Sequence, residues 1–197
     1  MNVFIFHGTF GYPEENWFPW LAKELRALGI ETHVPKFPTP EGQSLRAWLD
    51  VYKNYEKYVN EETILVGHSL GPVLIFRILE QRKSPIKAAI LVAPAIGAIG
   101  VSDFDKLNAT FVNKPYDWET IKRNCSYFSI YRGTDDPYIP IEQPQEIAKN
   151  LGINLKMIEK GGHLNTKAGF KEFPALLEEI KKLNGIAEFI KSKSKLT

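Results

Sequence analysis

The stretch Gly67-His68-Ser69-Leu70-Gly71 lies between a continuous apolar run, Thr63–Val66, and an apolar segment of helical period, Pro72–Gln81. It fits the pattern G-x-S-x-G, in which a serine stands on a sharp turn between a strand and a helix. Small residues at both ends let such a turn pack closely, so that the hydroxyl stands clear of the sheet. The sequence therefore predicts a parallel sheet with Ser69 as a nucleophile at its carboxyl edge.

Apolar runs alternate with helical segments along the rest of the chain, which is typical of a parallel sheet covered by helices on both faces. We predict one domain over residues 1–190, followed by a basic tail over 191–197. The predicted fold class is α/β, a three-layer α/β/α sandwich with a mostly parallel sheet and no large cap domain. The predicted strands are Val3–Phe6, Glu31–Val34, Thr63–Val66, Ala88–Val92, Tyr127–Tyr131 and Leu155–Ile158. The predicted helices are Asn16–Leu28 (capped by Asn16 or a neighbour and stopped by Gly29), Ser44–Val59 (capped by Ser44), Pro72–Gln81, Gln143–Leu151 and Phe170–Ile190 with a break near Gly185.

One long connection, Ala95–Asn124, interrupts this rhythm. Segments of that length in a compact domain are often lids or binding loops. The alternative is a surface excursion with one helix over Trp118–Arg123. Five aromatic residues are candidates for an apolar acyl pocket, with ordinary packing as the alternative for each: Phe10, Trp17, Phe111, Tyr116 and Trp118.

A serine hydroxyl needs a base that is held by a third group. The candidate base is His163, in a glycine-containing loop directly after the last predicted strand. The acid should follow the preceding strand, where Asp135 and Asp136 stand before Pro137. Because a proline biases the preceding residue towards an extended backbone, the two aspartates should point to opposite sides. We favour Asp136 as the partner of His163, with Asp135 capping the turn or facing solvent.

The oxyanion of an acyl-transfer intermediate needs two N–H donors. One is the backbone N–H of Leu70, directly after the nucleophile. The second should follow the first strand, and we choose Thr9, with Phe10 as the alternative. His7 and His68 are assigned structural roles. Cofactors are not predicted, because no histidine pair has metal-ligand spacing and no glycine-rich phosphate loop follows a strand.

Composition and charge argue against several classes of protein. The chain has 197 residues, 44% hydrophobic and 24% charged, and a single cysteine, Cys125, which excludes an internal disulfide. The net charge is +2, but residues 181–197 hold five lysines and one glutamate, which leaves −2 for residues 1–180. Such a body lacks the basic face that nucleic acids require. With no membrane span and no export signal in view, we expect a cytoplasmic protein without nucleic-acid, membrane or specific protein partners.

The chain also resembles the small serine hydrolases grouped with retinoblastoma-binding protein 9. The resemblance rests on 16–25 (NWFPWLAKEL), 67–71 (GHSLG), 114–122 (KPYDWETIK), 134–140 (TDDPYIP) and 161–163 (GGH). In that family the aspartate before the proline is the triad member, which supports Asp136. The L-x-C-x-E motif that the group's name-giving member carries is not matched, since Arg123 stands two residues before Cys125. The resemblance implies hydrolase chemistry but no particular substrate or pocket-protein partner.

We therefore predict an enzyme that cleaves a small ester, thioester or amide, including peptide substrates, through an acyl-enzyme formed on Ser69. The alternative is a catalytically inactive protein that uses the same fold as a binding module. Ester and amide substrates are both left open.

Overall fold

The computed structural model describes residues 1–185. Its centre is a six-stranded sheet in which every neighbouring pair is parallel. The spatial order is β2-β1-β3-β4-β5-β6, so the nucleophile turn after β3 leaves the middle of the sheet. The strands are β1 (Asn2–Phe6), β2 (Glu31–His33), β3 (Thr63–His68), β4 (Ala88–Val92), β5 (Phe128–Gly133) and β6 (Leu155–Ile158).

Helices cover both faces of this sheet. They are α1 (Phe18–Ala27), α2 (Leu45–Lys53), α3 (Gly71–Leu79), α4 (Ser102–Val112), α5 (Trp118–Arg123), α6 (Glu142–Leu151) and α7 (Pro174–Leu183), with 3-10 turns at Glu56–Tyr58 and Thr166–Ala168. Alternate strand residues enter opposite cores, because side chains along a strand point to alternating faces. Val3 and Ile5 pack with α1 and α7, whereas Phe4 and Phe6 pack on the face covered by α2, α3 and α6. The predicted three-layer sandwich is confirmed.

Local signals set several helix ends as predicted. The Ser44 hydroxyl accepts a hydrogen bond from the Ala47 N–H at 3.2 Å and begins α2. Gly29, at φ 75°, lies just after α1, in the left-handed conformation that glycine adopts most easily. Of the predicted cap positions, Asn16 or a neighbour, it is the neighbour Trp17 that occupies the N-cap, without a side-chain hydrogen bond, while the Asn16 side chain accepts the Thr166 N–H at 2.9 Å.

Several other boundaries differ from the predictions, most of them by one or two residues and those of α2 and α7 by more. Helix α2 ends at Lys53, and a separate 3-10 turn follows it. Helix α7 begins at Pro174 rather than at Phe170, because Gly169 at φ 88° ends the preceding 3-10 turn. It stops at Leu183, and the predicted continuation over 186–190 and the tail over 191–197 lie outside the described residues.

The connection Ala95–Asn124 holds two helices rather than an irregular segment. Helix α5 matches the predicted Trp118–Arg123, but α4 was not predicted. Helix α4 buries only Asn108 and Phe111. A helix with so few buried residues has no clear apolar period in its sequence, which is why it was not predicted. None of the helices within residues 1–185 is long and apolar enough to cross a bilayer.

Candidate active site

Ser69 occupies a strained turn at the end of β3. Its φ of 59° lies in the left-handed region, which costs a non-glycine residue about 1–3 kcal/mol. Two backbone hydrogen bonds hold it there: its N–H donates to Val92 at 2.9 Å, and its carbonyl accepts from Ala95 at 3.0 Å. A Cβ at Gly71 would lie 2.5 Å from the carbonyl oxygen of Phe6, so only glycine allows this close approach. The predicted turn is confirmed in its geometry.

Asp136 and His163 are joined directly. Asp136 Oδ2 lies 2.9 Å from His163 Nδ1. Its other oxygen, Oδ1, accepts the N–H groups of Tyr138 at 2.9 Å and Ile139 at 3.2 Å. A carboxylate that accepts from Nδ1 fixes the tautomer in which Nε2 is free to take a proton. The arrangement thus gives His163 the form that a general base requires.

Burial and hydrogen bonding act in opposite directions on Asp136. Burial of the side chain tends to raise the pKa of its carboxyl group. The hydrogen bond and charge of His163, together with the two backbone N–H groups, outweigh that effect and lower the pKa below its ordinary value. Asp136 is therefore an ionised carboxylate at neutral pH.

The adjacent aspartate holds the loop that carries the base. Asp135 Oδ1 accepts the Gly162 N–H at 2.7 Å, and Thr134 Oγ1 accepts the Lys160 N–H at 3.0 Å. Asp135 is exposed, in agreement with the prediction that it faces solvent, and its bond to the loop of His163 is an additional contact that was not predicted. Both aspartates reach that loop, and only Asp136 reaches the imidazole.

The loop that carries His163 also makes hydrogen bonds with segments that are distant in sequence. His68 Nε2 donates to the carbonyl of His163 at 2.9 Å, and Trp17 Nε1 donates to the carbonyl of Leu164 at 3.0 Å. The Asn16 amide oxygen accepts from Thr166, as described above. We call these three residues, with Thr134 and Asp135, the base-loop clamp. Sequence reasoning missed this role, since no local pattern links residues about 150 positions apart.

Ser69 and His163 do not contact each other through a hydrogen bond. Within residues 1–185, no hydrogen bond joins Ser69 Oγ to the imidazole of His163. The residue before Ser69, His68, has its ring centroid 4.9 Å from that of His163. Catalytic hydrogen bonds commonly tighten only when substrate is bound, so the nucleophile and base remain compatible partners.

The two other site histidines are structural, as predicted. Complete burial, and next the neighbouring His163, lower the pKa of His68 to about 3, so His68 stays neutral while it donates to the His163 carbonyl. His7 is also buried, and its pKa is lowered by that burial. Its Nε2 accepts the Phe37 N–H at 3.0 Å, and its Nδ1 therefore donates to the Gly8 carbonyl at 2.8 Å.

The loop after β1 lies directly against the nucleophile. A Cβ at Gly8 would be 2.7 Å from Ser69 Cβ and 3.1 Å from its Oγ. In this loop the Phe10 N–H donates to Thr39 Oγ1 at 2.8 Å. In the described part of the chain, the N–H groups of Thr9 and Leu70 donate to no protein acceptor. These two groups are therefore free to bind an oxyanion, whereas that of Phe10 is engaged.

The structure separates the five aromatic pocket candidates. Trp17 and Phe111 are 0% exposed and belong to the two cores, so placing them in a substrate pocket was wrong. Tyr116 and Trp118 are half-buried and pack on Phe76 of α3, with ring centroids 5.7 and 5.2 Å away. Phe10 alone among the five is largely exposed, at 46%.

Helix α4 is fixed to the body of the domain. The Leu45 N–H donates to Thr110 Oγ1 at 3.0 Å, and the Thr9 hydroxyl donates to Asn108 Oδ1 at 2.6 Å. Buried Arg77 donates to the carbonyl of Phe111 just after this contact region. Among residues 1–185 there is no group of three or more His, Cys, Asp or Glu side chains arranged to hold a metal ion.

Comparison with known sequences identifies relatives over most of the chain. A sequence model of the serine hydrolase family matches residues 3–182. The Bacillus subtilis protein YdeN is 29% identical over 182 residues, covering 90% of this chain and 93% of YdeN. Serine hydrolase RBBP9 of Rattus norvegicus is 30% identical over 169 residues, covering 85% of this chain and 86% of RBBP9.

Solved structures show the same architecture. The crystal structure of YdeN superposes with a TM-score of 0.85 at 27% identity, covering 93% of this chain and 98% of that one. Est1E of Butyrivibrio proteoclasticus, solved with ferulic acid bound, superposes with a TM-score of 0.66 at 17% identity, covering 98% of this chain and 89% of Est1E, and shows likeness of fold.

The parallel sheet with a G-x-S-x-G turn at its carboxyl edge, without a large cap within residues 1–185, is the fold of an α/β hydrolase. The chain belongs to the serine hydrolase family, and its predicted resemblance to the group that includes retinoblastoma-binding protein 9 is confirmed. It is accordingly an enzyme, a serine hydrolase.

Proposed function

We propose that this enzyme cleaves a small carboxylic ester, thioester or amide through an acyl-enzyme on Ser69. The observation that carries the proposal is the 2.9 Å contact between Asp136 Oδ2 and His163 Nδ1, on the loops that follow β5 and β6. It leaves His163 Nε2 as the proton acceptor at the edge where Ser69 stands. The chain order serine, aspartate, histidine is that of α/β hydrolases.

In the first half of the reaction, Ser69 Oγ attacks the substrate carbonyl carbon while His163 Nε2 takes the hydroxyl proton. The carbonyl π electrons move to the oxygen, and the N–H groups of Thr9 and Leu70 bind the resulting oxyanion. Collapse of this tetrahedral intermediate breaks the bond to the alcohol, thiol or amine. The imidazolium of His163 gives its proton to that leaving group, and Asp136 stabilises the imidazolium meanwhile.

In the second half, water attacks the acyl group on Ser69. His163 again takes the proton, the tetrahedral intermediate forms on the same two N–H donors, and its collapse returns the proton to Ser69 Oγ. The products are a carboxylic acid and free enzyme. No step calls on a metal or an organic cofactor.

The test combines a labelled fluorophosphonate with a panel of p-nitrophenyl esters and aminoacyl-coumarin amides. We expect stoichiometric labelling of Ser69, abolished in Ser69→Ala, and turnover of at least one substrate class in the panel. The panel also separates ester from amide preference. An unlabelled wild-type protein that turns over neither class would favour the inactive binding module instead.

A further inference from the structure

The loop after β1 is held by polar side chains that the catalytic scheme does not use. The Thr9 hydroxyl donates to Asn108 Oδ1 of α4 at 2.6 Å and accepts from Gln43 Nε2 at 3.2 Å. Gln43 Nε2 also donates to Asn108 Oδ1 at 2.9 Å. Thr9, Gln43 and Asn108 therefore close a triangle of hydrogen bonds across three separate segments.

The same group holds the next residue of the loop. The Phe10 N–H donates to Thr39 Oγ1 at 2.8 Å, and the Thr39 hydroxyl donates to Gln43 Oε1 at 2.6 Å. We call Thr39, Gln43 and Asn108 the oxyanion-loop brace. Gln43 is its centre, because its amide group bonds to both other members and to the carbonyl of Leu107 at 3.2 Å.

Asn108 is unusual for its position. It is buried near the middle of α4, a helix whose other buried residue is Phe111. A buried amide without partners is costly, and a net stabilisation of only about 0.5–1.5 kcal/mol per satisfied hydrogen bond does not favour it over an apolar residue. A role beyond stability therefore explains an asparagine here better than packing does.

The position of the Thr9 N–H, between two groups that the brace holds, indicates what that role is. The brace fixes the side chain of Thr9 on one side and the N–H of Phe10 on the other. The Thr9 N–H between them has no protein acceptor within residues 1–185, and its loop packs on Ser69. An oxyanion donor works only if it lies about 2.7–3.1 Å from the developing charge, so sub-ångström displacement of this loop matters.

We propose that Thr39, Gln43 and Asn108 are positioning residues that hold the Thr9 N–H in place for the oxyanion. None of the three contacts the reacting atoms, and each acts through the loop that it anchors. The inference rests on the function proposed above, because it concerns the second oxyanion donor of that reaction. It also gives α4 a part in catalysis, through Asn108.

Two variants test it, with a matched control. Thr9→Val keeps the backbone N–H and the side-chain shape but removes the hydroxyl, and Asn108→Leu removes its acceptor. The control is Thr110→Val. It removes the hydroxyl of α4 that accepts the Leu45 N–H, and it leaves the contacts of the Thr9 loop unchanged. Loss of a whole oxyanion donor costs about 10²–10³ in kcat, so we expect about a 10- to 100-fold fall in both test variants and almost none in the control.

The decisive readout is affinity for a trifluoromethyl ketone, whose adduct with Ser69 carries an oxyanion. Its Ki should rise in Thr9→Val and Asn108→Leu by the same factor as kcat/KM falls. KM should change less than about threefold, because the oxyanion exists only beyond the ground state. The pH profile of kcat/KM should keep its shape, since His163 and Asp136 are untouched.

Several results would overturn the inference. If kcat fell as much in Thr110→Val as in Thr9→Val, the oxyanion-loop brace would have only a structural role. A raised KM with unchanged kcat would assign these residues to ground-state binding. A wild type that hydrolyses esters, with Thr9→Val equally active, would overturn the brace and leave the proposed function intact, whereas a wild type without any turnover would remove both.

Discussion

The indole Nε1 of Trp17 donates a 3.0 Å hydrogen bond to the carbonyl of Leu164, the residue next to His163. Leu164 is fully buried and has a φ of 51°, so this contact fixes a strained residue beside the base. A tryptophan that opens α1 on the sheet face opposite α3 thereby acts on the catalytic edge. The indole thus has two roles in the structure, packing in the core and a hydrogen bond to the loop that carries His163.

We expect Trp17→Phe to separate those roles. The change keeps an aromatic ring in the core but leaves the Leu164 carbonyl buried and unpaired, at a cost of about 1–3 kcal/mol. The melting temperature should fall by about 2–4 °C for each kcal/mol, as measured by calorimetry. Since a displacement of about 1 Å in a catalytic group can cost up to 10²-fold in rate, kcat should fall as well. Trp20→Phe is the control, because the indole N–H of half-buried Trp20 makes no hydrogen bond within residues 1–185. Equal kcat losses in both variants would contradict the prediction.

Because the backbone at Ser69 is strained, two substitutions of this residue should have the same effect on activity and different effects on stability. Ser69→Ala and Ser69→Gly should both abolish turnover, because neither side chain can be acylated. Glycine relieves the positive φ, and we expect Ser69→Gly to be more stable than Ser69→Ala by about 1 kcal/mol, or about 2–4 °C in melting temperature. Exposed Ser126→Ala serves as the control for both readouts. Residual kcat above a few per cent in Ser69→Ala would refute the assignment of the nucleophile.

The two aspartates should differ strongly in their effects on rate. Asp136→Asn favours the wrong His163 tautomer and should lower kcat by about 10³–10⁴, equivalent to about 4–5.5 kcal/mol. Asp135→Asn keeps an oxygen that can accept the Gly162 N–H, so we expect at most about a tenfold loss, through a looser base loop. Both are measured with one activated ester. A larger loss at position 135 would transfer the catalytic role to that residue.

Asp136 should also contribute to stability in a pH-dependent way. Its folded-state pKa is lowered, so the stabilisation is present above the ordinary value of 3.8 and is lost as pH falls through the lower, folded-state value. The melting temperatures of wild type and Asp136→Asn should therefore differ at neutral pH and converge as the pH falls below 3.8. A constant difference across that range would show that Asp136 does not titrate as described. Asp103→Asn, at an exposed site, controls for general charge effects.

Much of the fold could be predicted because its signals are local. Strands buried on both faces read as continuous apolar runs, and β4 was predicted with its observed bounds, Ala88–Val92. Ser44 and Gly29 mark helix ends through single-residue chemistry. Helix α4 escaped prediction because it is fastened by hydrogen bonds from Thr9 and Leu45 rather than by an apolar stripe.

In the candidate site, too, the features with local sequence signals could be predicted and those that depend on long-range contacts could not. Ser69, Asp136 and His163 each follow a strand in a recognisable sequence context, so they could be proposed as candidates. The base-loop clamp and the brace could not, because Trp17 and Leu164 are 147 positions apart and Thr9 and Asn108 are 99 positions apart. The pocket prediction failed for Trp17 and Phe111 because sequence does not distinguish an aromatic residue in the core from one at a surface. The contact between Asp135 and Gly162 could not be predicted, because strand alternation does not describe a turn that contacts a second loop.

The base-loop clamp has a consequence for the order in which the enzyme matures. The turn that carries Ser69 connects β3 to α3 and is held by backbone hydrogen bonds to Val92 and Ala95, which are much closer to it in sequence than Trp17 is to Leu164. The clamp unites residues from near both ends of the described chain, and such distant pairings are slow to form because more chain entropy is lost. We expect a refolding chain to regain a native-like Ser69 turn before its base is in place. We expect the serine to stay unreactive while the chain is incomplete, and hydrolase activity to return with the final burial of Trp17.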